Sequence, residues 1–90
     1  MTKELIRRQI RDYLVANMLF GIGDVQDDTS LLGESILDSM GVLEMVLFIE
    51  ETFHVQVSDD EVLPTHFDSI NSLTTFITNK LPVQRLDSAS

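Results

Sequence analysis

Apolar residues recur at helical spacing in three long stretches of this 90-residue chain, and they alternate like a strand only across Val55-Gln56-Val57. A sheet needs several alternating runs to build one buried face. The pattern therefore directs the chain toward an all-α fold, a small four-helix bundle of three long helices and one short. The first helix is predicted from Thr2 to about Leu19, with Leu5, Ile6, Ile10, Tyr13, Leu14 and Met18 in the pattern. Thr2 caps it, and Phe20-Gly21-Ile22-Gly23 ends it. A long connection follows from Asp24 to Leu37. Its apolar anchors, Leu31, Leu32, Ile36 and Leu37, favour an ordered, functional loop.

The second helix is predicted from Ser39 to about Phe53, with Asp38 as its N-cap. At about 100° per residue, Val42, Met45, Val46, Ile49 and Phe53 gather on a core face. Met40, Glu44, Leu47 and Glu51 gather opposite, mixing exposed apolar groups with carboxylates in the manner of a docking face. Ser58-Asp-Asp-Glu61 fits a capping box that opens a brief third helix limited by Pro64. Thr65-His66-Phe67-Asp68 is a weaker cap signal. It leads into a fourth helix from about Ser69 to Lys80, which buries Ile70, Leu73, Ile77 and Leu81 and stops at Pro82. Residues 1–82 form one domain on this reading, and 83–90 a mobile tail.

Charge narrows the function. All six Lys and Arg lie near the ends (Lys3, Arg7, Arg8, Arg11, Lys80, Arg85), whereas 12 of the 15 acids fall between Tyr13 and Asn79. Phosphate backbones need cations opposite them, so nucleic-acid binding is excluded. The acidity either keeps a small protein soluble or docks it onto basic patches of partners. Absent cysteine rules out disulfides and thiolate metal sites. No apolar run is long enough to span a membrane, and the N-terminus lacks a signal-peptide core. A soluble, cytoplasmic protein is expected.

Tempting catalytic and metal sites fail on spacing. The run from Asp24 starts like a calcium loop, but Thr29 stands where glycine is needed and Ser35 where a bidentate glutamate is needed. Gly33-Glu34-Ser35 starts like a hydrolase elbow, but Leu37 replaces the second glycine. His54 and His66 lie among carboxylates without a metal-ligand motif, and a Ser39–His54 hydrolase remains a minor reading. Asp-Ser occurs at 38–39, 68–69 and 87–88, and as an isolated pair it reads as a cap or turn. Ser39 differs by its context: an anchored loop before it, a two-faced acidic helix after it, and the most negative part of the chain around it.

With these features the sequence resembles the acyl carrier proteins, phosphopantetheine-dependent stand-alone carriers, over about residues 3–81. Asp38-Ser39-Met40 stands in place of the family's usual Asp-Ser-Leu. The resemblance implies a carrier and not an enzyme. Ser39 would bear covalent 4′-phosphopantetheine, added from coenzyme A by a phosphopantetheinyl transferase, with Asp38 helping to position the serine and the transferase's metal ion. Met40, Leu43, Glu44, Leu47, Glu50 and Glu51 would form the partner-binding face, met by loading ligases or synthases with basic patches. The carrier would be a monomer holding acyl or aminoacyl thioesters for fatty-acid, polyketide or other specialised biosynthesis. Family behaviour also makes Val46 and Ile49 candidate walls for an acyl chain. Gly41 departs from the acid that housekeeping fatty-acid carriers place two residues after the serine, so the loop looks closer to specialised carriers. A dedicated aminoacyl or D-alanyl carrier loaded by an adenylating ligase is one alternative. An unmodified acidic helical adaptor is the alternative of another class.

Overall fold

A computed structural model describes residues 2–18 and 25–81. The predicted first-helix end at Phe20–Gly23, the start of the connection at Asp24, the stop at Pro82 and the tail at 83–90 lie outside the described residues. The described chain is helical, with no strand among those residues. Helix α1 spans Lys3–Asn17, α2 Ser39–Phe53, α3 Pro64–Phe67 and α4 Ile70–Lys80, with a single 3-10 turn at Asp59–Glu61. No helix among the described residues is long and apolar enough to cross a membrane.

Thr2 Oγ1 accepts the Leu5 amide and starts α1. Ile6, Ile10 and Leu14 are fully buried along one stripe of this helix and pack against α4. Leu5, part of the predicted pattern, is instead 47% exposed. Five residues of helix place it about 140° round from Ile10, outside the stripe. Helix α4 supplies Ile70, Leu73, Phe76 and Ile77 to the same core, and α2 supplies Met45, Ile49 and Phe53. Val42 and Val46, expected on the core face, are half-buried at its margin. Thr74 is buried among them without cost to its hydroxyl, which donates to the Ile70 carbonyl at 2.7 Å.

Between α2 and α4 the structure corrects the sequence reading. The Ser58–Glu61 box forms, with Ser58 N–H donating to Glu61 Oε1 at 3.0 Å, but it opens one 3-10 turn and no longer helix. Pro64 begins α3 where it was expected to end a helix, because a first-turn proline lacks only an amide that would be unpaired anyway. Thr65, His66 and Phe67 are residues of α3, and Ser69 Oγ caps α4 by accepting the Ser72 amide.

The connection before α2 is ordered around two hubs. The Leu31 carbonyl accepts the amides of Ile36 (2.8 Å) and Leu37 (3.0 Å), while Leu31 and Leu37 plug into the core. Asp68 Oδ1, at the α3–α4 junction, accepts Ser30 Oγ at 2.7 Å and the Leu32 amide at 3.2 Å. Gly33 closes the turn by donating to Ser30 Oγ, and a Cβ there would lie 2.6 Å from that oxygen. Upstream, the Arg11 guanidinium holds the Val25 carbonyl and the Asp27 carboxylate, and Asp27 O accepts the Asn71 amide.

Candidate functional site

The loop delivers the chain to Asp38, whose backbone is extended (φ −103°, ψ −170°) and whose Oδ1 accepts the Gly41 amide at 2.7 Å. That bond, with Val42 N–H donating to Asp38 O, starts α2 at Ser39 as predicted. Ser39 and Asp38 are exposed. The Ser39 hydroxyl has no hydrogen-bond partner among the described residues. The amides of Ser39 and Met40 also have no acceptor among the described residues. A phosphodiester on Ser39 Oγ would meet free N–H groups at a helix N-terminus, where the backbone dipole favours negative charge.

Gly41 explains how α2 begins so close to the rest of the fold. It is buried, and a Cβ would stand 3.2 Å from Asp38 Oδ1 and 3.4 Å from Leu37 Cδ2, with Met18 just beyond. The residue that departs from the carrier pattern thus lets the capping carboxylate and the loop's last anchor close over the helix end.

Along α2, Met40 is 65% exposed, and Leu43 and Leu47 are each 58% exposed. Glu44 and Glu51 are exposed beside them, with no ion pair among the described residues. These five expected partner-face residues share an apolar, anionic surface that begins one residue after Ser39. Glu50 stands apart. It is half-buried, and its Oε2 accepts the Val57 amide at 2.9 Å, tethering the outgoing chain. Next to the anionic surface, Tyr13 of α1 stacks on Phe48 at 4.2 Å. Burial, then the charges of Glu44 and Glu51, push the Tyr13 phenol above its ordinary value of 10.0.

The minor catalytic reading fails on distance. His54 ends α2 in a left-handed conformation (φ 58°), and fifteen residues of helix put it about 22 Å from Ser39. His66 is engaged elsewhere, stacked on Phe76 with Nδ1 2.9 Å from the Glu61 carbonyl. No cluster of metal-ligating side chains occurs among the described residues.

Three residues that position the loop were not read that way in sequence: Asp68 counted only toward a cap or turn, Gly33 only toward a failed elbow, and Ser30 was passed over. The Ser30-x-x-Gly33 spacing of a serine turn was the available signal. That its partner is Asp68 depends on a contact 38 residues away in the chain.

A family model described as a phosphopantetheine attachment site matches residues 8–77. The chain is also 26% identical over 61 residues to an acyl carrier protein of Chloroherpeton thalassium, an overlap of 68% of this chain and 76% of that relative.

Proposed function

Because the chain belongs to the acyl carrier protein family, whose members carry covalent 4′-phosphopantetheine, we propose that Ser39 is the attachment residue. The supporting observation is the combination at the start of α2: an exposed hydroxyl without a partner, two amides without acceptors, and a neighbouring carboxylate fixed by the Gly41 amide. Asp38 holds the serine's backbone in register, and its second oxygen is left for the transferase's metal ion. The bound group supplies the thiol that this cysteine-free chain lacks. The chain itself contributes a fixed anchor point and a docking surface.

Met40, Leu43, Glu44, Leu47 and Glu51 form that surface for a phosphopantetheinyl transferase and for loading enzymes with basic patches, through contacts weak enough to exchange quickly. Glu50 contributes to its shape through the Val57 tether more than through free charge. The cargo is an acyl or aminoacyl thioester. A dedicated aminoacyl carrier loaded by an adenylating ligase is a second reading, favoured by the neutral, buried Gly41 two residues after the serine.

Incubation with coenzyme A and a broad-specificity transferase tests the assignment by intact mass. One phosphopantetheine should be gained by the wild type and by Ser69→Ala, and none by Ser39→Ala. No gain under conditions that modify a control carrier would favour the unmodified adaptor. A gain that survives Ser39→Ala would move the anchor elsewhere. Offering the modified protein a panel of amino acids and acids with candidate ligases then separates the two cargo classes.

A further inference from the structure

Of the methionines at 18, 40 and 45, Met40 alone is open to solvent. It is 65% exposed, whereas Met18 is 5% and Met45 0% exposed. Met40 follows Ser39 in the first turn of α2 and borders a recess of about 360 Å3 that it shares with Ser35, Ile36, Asp38, Gly41 and Glu44. In a chain without cysteine, a thioether is the most readily oxidised side chain. Where the carrier family usually has leucine, which peroxide does not attack, this chain sets a reactive sulfur beside its proposed anchor.

We propose that Met40 is a reversible oxidation site whose sulfoxide slows attachment of the arm at Ser39. The inference rests on the carrier reading and adds regulation of that same site. The oxidant is a peroxide. A lone pair of the Met40 sulfur attacks one peroxide oxygen, and the S–O bond forms as the O–O bond breaks. The proton on the attacked oxygen passes to the departing one, which leaves as water or an alcohol. Sulfur loses two electrons and the peroxide gains them. A dithiol reductant reverses the step, removing the oxygen as water while it closes to a disulfide. Selectivity comes from exposure, because the Met18 and Met45 side chains are packed into the core. The consequence comes from polarity. The thioether offers a partner a flexible apolar contact, whereas burying the sulfoxide against a transferase strands an oxygen that water had solvated. Its neighbours offer no relief, since the Asp38 and Glu44 carboxylates of the same recess are acceptors too. A medium rich in peroxide thereby withholds the thiol arm that it would otherwise oxidise.

The full-length protein, free of the arm, is treated with hydrogen peroxide, desalted and mapped by peptide mass. Met40 should gain one oxygen about tenfold faster or more than Met18 or Met45. Intact mass then follows transfer of the arm from coenzyme A by a broad-specificity transferase. Protein bearing the Met40 sulfoxide should be modified about fivefold more slowly than untreated protein. A pair of methionine sulfoxide reductases, one for each sulfoxide epimer, should restore the rate. Met40→Leu, whatever its starting rate, should lose none of it to peroxide, which separates Met40 from Met1 outside the described residues. The melting temperature should not change with the single added oxygen. The proposal is overturned by oxidation of Met18 or Met45 as fast as Met40, or by a Met40 left intact where a methionine peptide is oxidised. Equal slowing of Met40→Leu, or slowing that comes with partial unfolding, overturns it as well. Untreated protein that takes no arm defeats the carrier assignment and this proposal with it. Untreated protein that takes the arm at a rate the Met40 sulfoxide leaves unchanged defeats the oxidation site alone.

Discussion

The Asp38 carboxylate is occupied by the Gly41 amide, so removing it disturbs both the helix start and the serine's presentation. Asp38→Ala should lower stability by about 1 kcal/mol in urea denaturation and slow modification by the transferase. Ser39→Ala, at an exposed position with no hydroxyl partner among the described residues, should stay within about 0.5 kcal/mol of wild type while losing modification. Gly41→Ala is the sharper case. Glycine to alanine inside a helix ordinarily gains about 1 kcal/mol, but here the new methyl would crowd Asp38 Oδ1 and Leu37. No gain is expected, and a full gain would show that the cap can move freely. At this scale Asp38 and Ser39 were legible in sequence because capping is local chemistry. The packing role of Gly41 was not, because Leu37 and Met18 make it from outside the helix.

Helix α2 was readable to the residue, since its core stripe and its acidic face lie within fifteen consecutive positions and its cap immediately precedes them. The segment from Ser58 to Ser69 was less readable. Pro64 can end one helix or begin another, and only packing of Phe67 into the core decides between them. Asp68 was misjudged for a similar reason, since its local signal is a cap while its carboxylate serves the loop before Ser39. Asp68→Ala should cost roughly 1–3 kcal/mol, the usual range for stranding partners of a charged hydrogen bond. It should also raise amide hydrogen exchange at Leu32. Protection there equal to wild type would mean that the Leu31 hub holds the loop alone.

For the molecule as a whole, charge sets the response to solvent. Among the described residues, Arg7 pairs with Glu4 and Asp27, Arg11 with Asp27, and Lys80 with Glu61, so cations serve only a few of the acids. Added salt should screen the remaining repulsion and raise the melting temperature. A flat response would mean that the acids are already well separated. Glu61 answers to acid instead. Lys80, followed by the Ser58 amide, holds its carboxyl at about 2 against an ordinary 4.5. The folded-state value lies below the unfolded one, so its contribution is complete above about 4.5 and disappears as pH falls through about 2. Melting temperatures measured across that window should fall less steeply for Glu61→Gln than for wild type.

The hub at Leu31, the clamp at Asp68 and the cap at Asp38 together make the proposed anchorage a pivot that does not travel. Whatever a prosthetic group fixed there sweeps out is then an arc about a stationary centre, its radius set by the tether alone. A partner enzyme needs to read one coordinate of this molecule to know where the cargo can be found.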